Sequence, residues 1–194
     1  MNRFLPLFLL ILCNCNTKTV EKDYITKHQE ALSYCKENGF NDNYYFLIDL
    51  SLHSGKNRFF VYDFKEVKIT NQNLVTHGAC DHFSVNLNKY KTAKFSDKID
   101  SHCSMKGKFK IGKRDYSSWG INVKYWLYGL EVTNKSAVDR VVVLHSWSKV
   151  SNKEIAPDYS PLSWGCPAVS DVFMKKLDVK LQGSKKPVLL WIVD

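Results

Sequence analysis

The hydrophobic period of the chain changes near residue 44, and that change limits the fold more than any other feature. From Asp23 to about Asn38, Ile25, Ala31, Leu32, Tyr34 and Cys35 recur near a 3.6-residue period. This predicts a helix, with Gly39 as its left-handed stop. From Tyr45 the period is two. Tyr45 to Leu52 and Asn57 to Phe64 are aromatic and β-branched runs joined by His53-Ser54-Gly55-Lys56, a hairpin signal, and Phe60, Tyr62 and Phe64 share one face. Shorter strands are expected from Glu66 to His77, with a turn at Asn71-Gln72-Asn73.

Ala79 to Asn122 is rich in Lys, Ser, Asp and Gly, and reads as long loops carried on a few short strands. Strand patterns return at Val123 to Val132 and at Arg140 to His145, where Val141-Val142-Val143-Leu144 suits a buried strand. Ser170 is a good N-cap for a short helix through Leu177, with Asp171 near its positive end. Pro187 to Val193 closes the chain as a last strand. With 194 residues and no repeat or internal linker, the expectation is one predominantly β domain of α+β class over residues 23–194.

The N-terminus carries a different signal. Asn2 and Arg3 precede an apolar run, Phe4 to Leu12, and then Cys13-Asn14-Cys15. A basic start before so short a run has the layout of an export signal, too short for a permanent membrane span. With no A-x-A-like cleavage site, and with Leu12 three residues before Cys15, a lipoprotein signal over residues 1–15 is expected. Cys15 is its lipidation candidate and residues 16–22 a short tether; a plain signal peptide with incidental cysteines is the alternative. The net charge of +9 suits an anionic partner, but export argues against nucleic acid.

Processing at Cys15 would leave Cys35, Cys80, Cys103 and Cys166, enough for two disulfides in an oxidising compartment. One of them has a context suited to chemistry. The Val141–Leu144 run delivers His145 to the rim of a sheet. Ser146 and a 16-residue loop (147–162) follow, and then Ser163-Trp164-Gly165-Cys166-Pro167-Ala168. A cysteine nucleophile needs a nearby imidazole, donors for an oxyanion and backbone that can approach a substrate closely. His145 can supply the first, the Gly165 and Cys166 amides the second, and the absence of a Cβ at Gly165 the third. Taken alone, such a pair is more often structural than catalytic.

The pattern His145-Ser146, a spacer, then Ser163-x-Gly165-Cys166 resembles the active-site signature of the murein L,D-transpeptidase catalytic domain family, in the branch with G-C-P-A after the serine. The likeness extends to His77-Gly78 upstream, to Ser101–Phe109 and to the L-x-G-L-E-x-x-N-x-x-A-x-x-R run of Leu127 to Arg140, and spans about residues 44–193. The resemblance implies a mixed-sheet catalytic domain with a short N-terminal helix. It implies Cys166 as nucleophile, His145 as its activator, Ser146 as a third member acting through its backbone carbonyl, and Gly165, Ser163 and Trp164 around the oxyanion and substrate. It implies a Cys thioester with a peptidoglycan stem peptide, release of D-alanine and transfer to an amine in a 3→3 cross-link. With water as acceptor the outcome is an L,D-carboxypeptidase; a non-catalytic wall-binding surface lipoprotein is the other alternative. No cofactor or metal is expected, the membrane is a partner only through the lipid anchor, and a monomer in the periplasm or cell envelope is expected. Two departures stand out: Trp164 occupies the place of a second His, and Ala168 stands near an expected Arg or Asn.

His77, Cys80, His82, His102 and Cys103 could be read as zinc ligands, but their spacing is irregular. A Cys80–Cys103 disulfide, and a His77 hydrogen-bonded inside the sheet, are the competing readings.

Overall fold

The computed structural model describes residues 24–80 and 88–194, so the export segment, Cys15, the tether, Asp23 and His82 lie outside the described residues. Helix α1 (Ile25–Glu37) comes first, followed by β1 (Tyr44–Asp49), β2 (Phe59–Asp63) and β3 (Lys68–Asn73). A single turn, α2 (Asn88–Lys91), precedes β4 (Gly107–Tyr116) and β5 (Val123–Gly129). Then come β6 (Val143–Ser146), β7 (Ala168–Val169), α3 (Asp171–Gln182) and β8 (Val188–Val193). The eight strands form one sheet in the order β3-β2-β1-β8-β4-β5-β6-β7. It is mixed: β1 with β8 and β6 with β7 are parallel, and the other neighbours are antiparallel. The expected α+β, predominantly β architecture with a short N-terminal helix is the one observed.

Alternation sorts the strand side chains into two layers. Phe46, Ile48, Phe59, Val61, Phe109, Leu127, Leu144 and Leu190 face the larger core, which α3 seals with Phe173, Met174 and Leu177. On the other face α1 lays Ala31 and Cys35 over Tyr45, Leu47, Phe60, Tyr62 and Trp191. Each fully buried large side chain of this kind contributes about 1.5–3 kcal/mol. Helix α1 ends as expected at Gly39 (φ +71°), where the Phe40 amide donates to the Cys35 carbonyl at 2.9 Å and the Phe40 ring packs on Tyr34.

Four sequence expectations are corrected. Asn71-Gln72-Asn73 is not a turn but the end of β3, paired with Phe59 to Val61. The turn lies earlier because Asp63 Oδ1 accepts from both the Lys65 and Glu66 amides at 2.9 Å, closing the chain there. The loop-rich middle contains a ten-residue strand, β4, in which Lys108 and Lys110 alternate with buried Gly107, Phe109 and Ile111 until a bulge between Ile111 and Arg114 interrupts the pattern. The strand expected from Arg140 starts only at Val143, because Val141 has φ +55° and belongs to the preceding turn. Finally, α3 runs past Leu177 to Gln182 because Leu181 also reaches the core.

Candidate active site

Parallel pairing of β6 with β7 is what brings His145 and Cys166 together. His145 lies opposite Ala168 and Ser146 opposite Val169. Cys166, two residues before Ala168, therefore falls beside Val143, whose amide donates to Cys166 Sγ at 3.4 Å. A strap from Thr76 to Ala79 holds the other side of this loop. The Thr76 amide donates to the Ala168 carbonyl (2.9 Å) and the Ser163 amide to the His77 carbonyl (2.9 Å). The Thr76 hydroxyl donates to the Cys166 carbonyl (3.1 Å) and accepts from the Ala168 amide (2.9 Å). The upstream His-Gly pair is thus a neighbour of the Ser163–Ala168 loop. A Cβ at Gly78 would lie 2.6 Å from the Ser104 nitrogen and 2.7 Å from the Cys103 carbonyl carbon, so only glycine permits that approach.

His145 Nδ1 lies 3.0 Å from the carbonyl of Ser146. A carbonyl can only accept, so Nδ1 carries the hydrogen and Nε2 keeps its lone pair, the tautomer a general base requires. Burial lowers the pKa of His145 and Lys124 lowers it further, while the Ser146 carbonyl raises it. The hydroxyl of Ser146 serves elsewhere, accepting from the Ile121 amide at 3.0 Å.

Cys166 is a free, partly buried thiol. Its S–H donates to the Val141 carbonyl at 3.6 Å, and Sγ is bonded to this backbone rather than to His145. Burial raises its pKa; the Val143 amide, Arg140 and Lys124 act against that rise.

Gly165 has φ +107°, and a Cβ there would sit 2.6 Å from the Cys103 carbonyl oxygen and 3.0 Å from Arg140 Nη2. Its amide donates to Ser163 Oγ at 3.2 Å, whereas the Cys166 amide carries no hydrogen bond among the described residues. His145, Ser163, Trp164, Cys166 and Ala168 line a cavity of about 470 Å³, together with Trp119, Trp147 and Leu162. Trp164 is 67% exposed and tilts against His102 at 4.9 Å, while Trp119 and Trp147 meet edge to face at 5.6 Å. The mouth around the thiol is aromatic.

Two features around the site were not assigned from sequence. Cys80 and Cys103 form a disulfide, which settles the competing readings of that pair. Arg58 is fully buried, donating through Nε and Nη2 to the Val75 carbonyl (3.0 and 2.7 Å), with Nη2 also 2.8 Å from His77 Nδ1. An arginine only donates, so His77 Nδ1 accepts and its Nε2–H donates to the Lys89 carbonyl at 2.7 Å. Both ring nitrogens of His77 are occupied, and no cluster of three or more metal-ligating side chains occurs among the described residues. Arg58 stands in an ordinary strand-like run, and nothing in the sequence marks its burial.

With this geometry in view, comparison with known proteins gives the class. Residues 16–190 match the family model of the L,D-transpeptidase catalytic domain, and the chain belongs to that family. It is therefore built on an acyl-transferring catalytic domain. No curated protein matches the chain. Among solved structures it is similar to an L,D-transpeptidase from Xylanimonas cellulosilytica (11% identity, 82% of this chain and 68% of that one, TM-score 0.45). It is also similar to Bd1075 of Bdellovibrio bacteriovorus (15% identity, 81% and 49%, TM-score 0.48). A third likeness is to the helical cell shape determining protein Pgp2 of Campylobacter jejuni (13% identity, 85% and 54%, TM-score 0.46). The chain spans about half the length of the last two. No helix among the described residues is long and apolar enough to cross a membrane.

Proposed function

We propose that the protein is a peptidoglycan L,D-transpeptidase with Cys166 as nucleophile and His145 as its base. The observation that carries this reading is the shared cavity: a free thiol and an imidazole whose Nε2 is left available line the same walls. His145 Nε2 takes the thiol proton, and Sγ attacks the carbonyl between the L-centre of a diamino acid and D-alanine in a stem peptide. The resulting oxyanion is met by the unengaged Cys166 amide, with Gly165 contributing once its long bond to Ser163 gives way. The C–N bond breaks, the imidazolium returns its proton to the leaving D-alanine amine, and an acyl-thioester remains. An acceptor amine then attacks the thioester, His145 takes its proton, and the thiolate departs, leaving a 3→3 cross-link. Ser146 takes part through the carbonyl that fixes the His145 tautomer. Trp164 offers a face on which a peptide or sugar plane can stack.

If water replaces the amine, the same thioester gives an L,D-carboxypeptidase. A wall-binding lipoprotein without catalysis is the third reading. The domain is taken to be residues 23–194, exported to the periplasm or cell envelope by residues 1–15, held through a lipid on Cys15 and acting as a monomer.

Muropeptide analysis with purified enzyme and a tetrapeptide donor separates these readings. New 3→3 dimers are expected; tripeptide alone means carboxypeptidase, and no change favours the binding protein. Carbapenem acylation mapped by mass spectrometry tests the nucleophile. Wild type is expected to carry one adduct on Cys166, and an adduct persisting on Cys166→Ala overturns the assignment.

A further inference from the structure

Arg140 closes the Leu127–Arg140 run that the family resemblance singled out, and the mechanism above does not use it. Its guanidinium donates through Nη1 to the Ser96 carbonyl at 2.6 Å and through Nη2 to the Cys103 carbonyl at 2.7 Å. The two ends of the fork are thus fixed by backbone on a separate loop. A Cβ on Gly165 would stand 3.0 Å from Nη2, so the charge lies against the residue directly before Cys166. The next residue along the chain, Val141, is β-branched and 49% exposed, yet has φ +55°. No L-residue of that shape adopts such a φ without cost. The result is that the Val141 carbonyl is turned to accept the Cys166 thiol proton, while the Val143 amide meets the same sulfur.

We infer that Arg140 is a positioning residue for the reaction, a fixed cation at the back of the nucleophile loop that stabilises Cys166 as thiolate after its proton leaves. The inference rests on the reading of Cys166 as nucleophile. The Val141 carbonyl favours the protonated sulfur and repels the ionised one, and the Val143 amide is a neutral donor at 3.4 Å. The guanidinium offsets that repulsion without leaving its two carbonyl anchors. A lysine would keep the charge on which the role depends. Other charged and titratable groups also act at this place. Lys124 on β5 acts on Cys166 in the same sense as Arg140, while Asp97 and Asp100 act on Arg140 with opposite charge. His145 stands on β6, and His102 packs against Trp164. Asp97 is anchored by the Ser136 amide (3.0 Å) and hydroxyl (2.8 Å), so its charge is held in place as well.

The test is the pH dependence of iodoacetamide alkylation of Cys166 in the full chain with its disulfide intact, the modified residue being identified by peptide mass mapping. Arg140→Gln is expected to move the alkylation profile to higher pH, with a rate at neutral pH lower by roughly tenfold, the ratio that one pH unit represents. Arg140→Lys is expected to stay near wild type. Asp97→Asn is expected to move the profile to lower pH, since it removes a charge opposing Arg140. A profile in Arg140→Gln that superimposes on wild type, or one in Arg140→Lys that shifts equally, overturns the inference. Should Arg140→Gln not fold, Asp97→Asn alone decides, and an unchanged or upward profile counts against the role. Alkylation reports the state of the thiol whether or not Cys166 forms a thioester. Failure of the nucleophile reading shows separately, as absence of acylation on the wild-type protein.

Discussion

The Nδ1 nitrogen of His145 is 3.0 Å from the carbonyl of its own neighbour, Ser146, while the Ser146 hydroxyl points away to the Ile121 amide. One residue thus performs two separable tasks: its backbone sets the imidazole tautomer and its side chain braces the 117–122 loop. Ser146→Ala is therefore expected to leave the pH profile of acylation in place, because the carbonyl survives. The same substitution leaves the Ile121 amide without its acceptor beside a fully buried position, a loss of about 1 kcal/mol in a denaturant titration. His145→Gln is expected to lower the acylation rate by about 10²–10⁴-fold, the usual contribution of a positioned base. Equal damage from both variants would mean that the serine side chain has a direct part.

Gly165 permits an equally sharp expectation. At φ +107°, with the Cys103 carbonyl 2.6 Å from where a Cβ would lie, Gly165→Ala cannot be accommodated without moving either the loop or Cys103. A stability loss of about 1–3 kcal/mol is expected from the backbone conformation alone. Acylation of Cys166 should fall further than stability does, since the amide next to the sulfur is reoriented. Stopped-flow acylation compared with thermal unfolding of the same variant checks this.

The site and the fold were legible in the sequence to different depths, for physical reasons. His145 stands on β6 and Cys166 two residues before its parallel neighbour β7, with one loop between them, so their approach depends on a short stretch of chain and leaves a recognisable spacing. Gly39 and Ser170 were readable because caps are local. Strand β4 was not, since its alternation lasts only from Gly107 to Ile111 before a bulge resets the register in a polar stretch. Arg58 was unreadable as a site neighbour, and Arg140 stood in a recognised run without any sign of what it contacts, for another reason. Each is held by carbonyls distant in sequence, Val75 for one, Ser96 and Cys103 for the other. Val141 misled because its apolar run suits a strand, while its φ is set by the turn it closes with the Val138 carbonyl.

The disulfide between Cys80 and Cys103 joins the strap to the loop that anchors Arg140. The Ala79 amide donates to the Ser163 carbonyl (2.8 Å), and the Cys103 carbonyl accepts from Arg140 (2.7 Å). Replacing both cysteines by serine opens a connection between residues 23 apart in sequence, and a stability loss of about 3 kcal/mol is expected. Because Cys103 lies against Gly165 and Ala79, next to Cys80, bonds Ser163, acylation at 25 °C should slow even where the variant remains folded. A variant with lower stability and an unchanged acylation rate would show that the bridge serves stability alone.

His77 makes the fold sensitive to acid. It is fully buried, and burial, with the Arg58 charge beside it, lowers its pKa from 6.5 to about 4, partly opposed by the Lys89 carbonyl. In the unfolded chain the imidazole takes up its proton near 6.5, so below that pH the unfolded state binds more protons than the native one. Stability from this group is complete above pH 6.5 and is lost progressively as pH falls toward 4, by up to about 3 kcal/mol for a difference of that size. In His77→Asn the side-chain oxygen can still accept from Arg58, but nothing at that position titrates. The variant is expected to be less stable at pH 7.5, through the lost Lys89 contact, yet to show a flatter decline between pH 6.5 and 4. Urea midpoints across that range check it. A wild-type slope that persists unchanged in His77→Asn would assign the acid sensitivity to other groups, with His145, whose pKa burial also lowers, the first to examine.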